Sequence, residues 1–365
     1  MNDEPNVSKG SDAPSKRPDR QYRISTTRNF NLWMLENQCS LAFSAYHAGL
    51  LFLLGNGPDG KLTKSTHNFS RCMGICGDSD KIWAASLHQI WRFSNHVDQI
   101  ERSLGHDRIY RPRVAYVTGD MDIHEMAETG DGELIFVNTL FSCLAKLSDR
   151  VSFEPVWKPA FISKLAAEDR CHLNGLAMRD GKPYAVTALG RTDVAQGWRD
   201  HRTDGGVIID VASNEIVASG LSMPHSPRWA FGKLWVINSG TGGFGYIDSA
   251  TGKFEEVAFC PGYGRGMTIH GRFAIVGLST QREKSTFGDL PLDERLSKNG
   301  VKARCGLMII DLETGSAVES LRIEGSVQEL FGVLALPGVR NPALMGDPVR
   351  QTSKLVTVPD NTKLT

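Results

Sequence analysis

Long apolar runs are missing from this 365-residue sequence: even Leu50-Leu51-Phe52-Leu53-Leu54 falls far short of the roughly 18 residues that span a bilayer as a helix. Charge of one sign is missing too. The 41 Lys+Arg residues balance 41 Asp+Glu, which leaves no basic field to hold nucleic acid or an anionic membrane. Paired cysteines are absent: Cys39, Cys72, Cys76, Cys143, Cys171, Cys260 and Cys305 are odd in number and show no C-x-x-C spacing, so neither a disulfide framework nor a structural zinc knuckle is expected. They read as small buried hydrophobes in a reducing cytoplasm. Residues 1–20 lack the apolar centre of a secretory signal, and long helical periodicity is scarce. What remains, 41% hydrophobic and 22% charged residues, is the composition of a globular chain with a large core.

The pattern that recurs is a short apolar run, a tight Gly/Asp turn, a second strand, a loop, and a third strand often ending in Asp. It reads Met73-Gly74-Ile75-Cys76, turn, Lys81-Ile82-Trp83-Ala84, and returns at Met126, Gly175, Arg228 and Met267, with a weaker copy from Leu330. The interval of about fifty residues is one four-stranded propeller blade. The fold class is therefore all-β, a six-bladed β-propeller with a central channel, five or seven blades being the alternatives. The segments from Leu41 and Leu50 supply outer strands of a blade shared by the two chain ends. The domain reading is a disordered tail over 1–22, one propeller over 23–348 and a flexible tail over 349–365.

Aligning the copies puts His124, His172 and His225 at the start of three consecutive first strands. First strands are innermost in a propeller, so three imidazoles are expected at one mouth of the channel. Three neutral imidazoles suit iron, copper or zinc and leave positions open for water, dioxygen or substrate. The matching positions elsewhere hold Arg71, Arg265 and Glu329: arginines to clamp an anion, and a carboxylate to act as fourth ligand or general base. Asp122 and Asn174 are expected behind the ligands, orienting ring nitrogens or a bound water. The long connections, 100–121, 157–171, 190–204 and 280–304, gather on the same face, as around a pocket. Among them, Trp198 with Arg199 and Arg202 stands out as a cover for a small polar or anionic ligand. The other seven histidines read as structural. The glycine-rich stretch 239–243 is a turn, since no helix and no Gly-Lys-Ser/Thr follows it.

The stretches Cys171-His172-Leu173-Asn174-Gly175, Pro224-His225-Ser226-Pro227-Arg228-Trp229, Asn138-Thr139-Leu140-Phe141-Ser142-Cys143-Leu144 and Arg265-Gly266 resemble an uncharacterised bacterial family of propeller type, over residues 32–342. The resemblance implies the fold and assigns no reaction. In architecture the chain is also distantly similar to six-bladed calcium-dependent lactonases and esterases, whose carboxylate and asparagine ligands it replaces with histidine, and to oxygenases that ring an iron with propeller histidines. The function expected is a cytoplasmic metal-dependent oxidoreductase or oxygenase acting on a small polar or anionic molecule, with iron or copper preferred. A zinc-type hydrolase and a non-enzymatic ligand-binding propeller are the alternatives. No nucleic-acid or membrane partner is expected.

Overall fold

The computed structural model describes residues 21–280 and 288–345. Six sheets, antiparallel except for one strand added at a rim, surround an axis, and the inner strand of each is followed outward by its neighbours. Blade 2 begins at Ile75–Gly77, blade 3 at Ile123–Glu128, blade 4 at Leu173–Arg179, blade 5 at Pro224–Ala230 and blade 6 at Tyr263–His270. Blade 1 takes its inner strand, Val333–Pro337, from the far end of the chain and sets it against Cys39–Ala45, Leu50–Asn56 and Leu62–Asn68. The shared closing blade is as the sequence implied. Two further strands were not legible: Tyr22–Thr26 extends blade 6, and Pro342–Leu344 lies parallel on Arg108–Val117 at the rim of blade 2. Both expected tails lie outside the described residues, apart from residues 21 and 22; the Gln281–Lys284 part of the long 280–304 connection lies outside them as well.

Position within the blade decides the residue pattern. Cys39–Ala45 and Leu50–Asn56, second and third strands, are buried along their whole length because neighbouring blades cover both faces, so they read as continuous apolar runs. The outer strand Ile216–Leu221 buries only Ala218 and Leu221. Turns on the face away from the histidines are short. Arg179 pairs with Lys182, so Asp180 and Gly181 form a two-residue loop with φ of 52° and 72°, the left-handed pair that matches strand twist.

Adjacent blades are joined by buried side-chain hydrogen bonds at the channel mouth. Ser44 donates to Met73 O (2.7 Å), Thr139 to Leu173 O (2.6 Å), Asn174 to Pro224 O (3.1 Å), and Ser239 to Gly264 O. Ser279 both donates to Leu330 O (3.2 Å) and accepts from Leu330 N (3.0 Å). Each satisfies a carbonyl at or just ahead of the start of the next inner strand. The seven cysteines are free, and six of them are fully buried.

Candidate functional site

The inner strands are not regular where they enter the channel. Register shifts fall between Ile123 and Met126, opposite Phe136/Asn138, in blade 3, and at Leu173/Gly175 in blade 4, His225/Arg228 in blade 5 and Gly264/Met267 in blade 6. Such bulges turn side chains out of the alternating pattern. Ahead of them Arg71, Asp122, His172 and Met223 adopt left-handed backbone, with φ of 50°, 55°, 50° and 50°. Non-glycine residues rarely take this conformation, and they hold it where surrounding contacts over-determine it.

That register revises the alignment of the histidines. Ile123, Leu173 and Pro224 pair with Asn138, Ala188 and Asn238, so they are equivalent first residues. His124 and His225 are second in their strands, and their counterpart in blade 4 is Asn174. His172 comes two positions earlier, where blades 3 and 5 carry Asp122 and Met223.

The three rings nevertheless line one cavity of about 150 Å³, together with Asp169, Trp198 and Arg199 from the blade 3–4 connection and the 190–204 insertion. His124 and His172 meet edge to face, with centroids 4.8 Å apart. His124 Nδ1 lies 2.9 Å from Asp122 O, and His225 Nδ1 lies 2.9 Å from Met223 O. A carbonyl oxygen only accepts, so Nδ1 carries the proton in both rings and the lone pair is on Nε2. Thr139 and Ser239, also within reach of these Nδ1 atoms, spend their hydroxyl protons on carbonyls of the next blade. Burial pushes His124 down to about 4, reinforced by the neighbouring His172 and only partly offset by Asp122. His225 lies well below the ordinary histidine range, first through burial and then through the Arg265 charge. Both are neutral imidazoles at pH 7.

His172 has a different partner. Both Asp169 oxygens lie 3.0 Å from its Nδ1, and Trp198 Nε1 donates to Asp169 Oδ2 at 2.8 Å. The indole also stacks on the imidazole, with centroids 4.4 Å apart and planes at 39°. Trp198, 2% exposed, is held by the short 3₁₀ turn Gly197–His201 and by an apolar cluster with Leu189, Met223, Tyr263, Leu292 and Leu296. The last two belong to the helix Pro291–Lys298 of the second long insertion, fixed to blade 5 by Leu292 N to Gly240 O and by Arg295 on both oxygens of Glu256. Two insertions thus form one support beneath the pocket.

The other expected site residues are placed as follows. Arg265 lines the cavity, with its guanidinium over the Phe331 ring at 4.4 Å and 2.8 Å from Glu329. Glu329 is buried behind it, 3.5 Å from His47 on its other oxygen, and is not part of the lining. Arg71 faces Asp120 (2.5 Å) and Asp122 (3.2 Å). Asn174 is occupied between Thr187 and Pro224 O. Asp122 meets His124 through its backbone carbonyl. Among the described residues no three His, Cys, Asp or Glu side chains stand together closely enough to share a metal ion. Sequence reasoning missed Asp169, which sits in the Glu168-Asp169-Arg170 run of apparent surface charge. A usable signal was Trp198, a large apolar residue inside an otherwise polar insertion. No helix among the described residues is long and apolar enough to cross a membrane.

Solved structures similar in fold include a protein of a nidogen/laminin complex (12% identity, TM-score 0.54, covering 82% of this chain and 99% of that one). A gluconolactonase from Xanthomonas campestris follows (12%, 0.46, 80% and 87%), and a virginiamycin B lyase from Staphylococcus aureus (11%, 0.41, 83% and 99%). At these identities the likeness is one of fold alone. No curated protein matches the sequence. A family model matches residues 28–345, nearly the whole propeller, and the chain accordingly belongs to the family described as a domain of unknown function, DUF4915.

Proposed function

We propose that the histidine-lined cavity is the active site of an enzyme performing proton-transfer chemistry of the hydrolase or lyase type on a small polar molecule. The observation that carries this is the Asp169–His172 pair. The carboxylate holds the Nδ1 proton, which leaves Nε2 as the one ring nitrogen available to a substrate, and it stabilises the imidazolium formed when Nε2 takes a proton. Abstraction from water gives hydrolysis; abstraction from an acidic carbon, with return of the proton to the departing group, gives elimination. His124 and His225 offer two further lone pairs that accept hydrogen bonds from a water or from the substrate. The strained backbone at Asp169 and His172, φ 45° and 50°, is consistent with a geometry kept for function. A turnover screen on small esters, lactones and β-substituted acids tests the reading, with His172→Gln as the comparison. Activity equal in both proteins would overturn it.

A second reading is favoured by the tautomers. Three Nδ1 atoms are occupied by acceptors, so each ring keeps its lone pair on Nε2, and three such rings on one cavity have the donor chemistry of a zinc, iron or copper site. The rings would have to close on the ion from their present positions. About one transition metal per purified chain, lost in His172→Ala, supports this reading. A colour or paramagnetic signal selects the redox form over the zinc-type hydrolase. Metal content indistinguishable between wild type and variant returns the site to metal-free acid–base chemistry.

A further inference from the structure

The arginines around the cavity differ in how their charge is compensated. Arg71 is paired with two carboxylates and Arg265 with Glu329. Arg199 has none among the described residues: its Nε donates to the Gln196 amide oxygen at 2.9 Å, and its guanidinium carbon lies 4.6 Å from the centre of the Trp198 ring. A guanidinium over an indole is held by cation–π attraction, and its planar N–H edge is a fork suited to a carboxylate. Gln196 has left-handed backbone, φ 51°, and its N–H is bonded to Glu168 O, so the turn carrying the fork is anchored to the same connection that carries Asp169. The same indole touches His172. The cation and the proposed base are therefore positioned by one rigid side chain.

We infer that Arg199 is the anion-recognition residue of this pocket, and that the molecule it takes is a small monocarboxylate. A planar carboxylate matches the fork with two parallel hydrogen bonds. A dianion does not fit the charge, because one uncompensated cation faces it and the Asp169 carboxylate lines the same cavity. A cavity of about 150 Å³ suits a small acid, and butyrate represents the class. The inference deepens the acid–base reading and rests on it only for which end reacts; carboxylate recognition is measured without turnover.

The test is a ligand-observed NMR titration of the full chain with butyrate and with its neutral isostere butyramide. Wild type is expected to bind butyrate at least tenfold more tightly. Arg199→Gln levels the two, and Arg199→Lys keeps part of the difference. Arg199 is exposed, and an unchanged thermal midpoint verifies that its variants fold. Equal affinities in wild type, no saturation by butyrate up to about 100 mM, or a preference that survives in Arg199→Gln would each overturn the inference. His172→Gln should retain the preference for butyrate. If it does while turnover proves independent of His172, the catalytic reading fails and the recognition reading stands.

Discussion

Acid should weaken this fold through His124 in a measurable way. The imidazole is buried and its folded pKa is lowered from 6.5 to about 4, chiefly by desolvation. The unfolded chain binds the proton near 6.5, whereas the native state resists it until about pH 4. Between those values the unfolded state holds more protons, so stability rises with pH across the window. The contribution is fully present above pH 6.5, is lost progressively on acidification, and is gone below about pH 4. The gap of two to three pKa units corresponds to about 3 kcal/mol. His225, shifted in the same direction for the same first cause, adds to it. The comparison variant is His124→Asn, because blade 4 already carries an asparagine, Asn174, at the equivalent position. Urea unfolding at pH 7.5, 6, 5 and 4 should give a wild-type stability that falls more steeply than that of the variant, the difference between the curves approaching 3 kcal/mol. Titrating carboxylates contribute to both curves and cancel in that difference. Parallel curves would refute the reasoning, since they would mean that His124 protonates as readily in the native protein as in the unfolded chain.

Other outcomes follow from the same geometry. Asp169→Asn should reduce turnover by about two orders of magnitude or more while leaving the thermal midpoint near that of wild type; a loss confined to stability would make the residue structural. Ser279→Ala strips both hydrogen bonds from Leu330 and should cost about 1–3 kcal/mol in chemical denaturation. Glu125 holds Arg228 by two contacts of 3.0 and 3.1 Å across the channel, so Glu125→Gln should destabilise by about 3 kcal/mol. The double variant Glu125→Leu/Arg228→Met should recover most of that loss, and a failure to recover would show that the pair does more than neutralise itself.

The repeat was legible because blade chemistry is local: an apolar inner strand, a turn such as Asp180-Gly181 with its required left-handed residues, and a second strand that both neighbours cover. The seam was legible for the same reason, since Leu50–Asn56 has the continuous burial of an interior strand. The position of His172 was not. Side chains alternate with a period of two, so a slip of two residues leaves every side chain on the same face and the apolar pattern unchanged. Only the register with Ala188 and the left-handed backbone reveal it. Strands Tyr22–Thr26 and Pro342–Leu344 escaped notice because each is a polar or short edge that gains its identity from its partner. The Asp169–Trp198 contact joins residues 29 apart from two separate loops, and no local rule connects them.

The closure has a consequence for biogenesis. Leu41 pairs with Ala335, and Pro342 lies on Arg108, so the first blade cannot be finished until residues 333–337 have followed the other five blades out of the ribosome. Through most of synthesis the bonding edge of Cys39–Ala45 has no mate, and an uncovered edge of that apolarity invites pairing with other nascent copies. A premature stop before Val333 would therefore release not a smaller propeller but an open ring with a sticky seam.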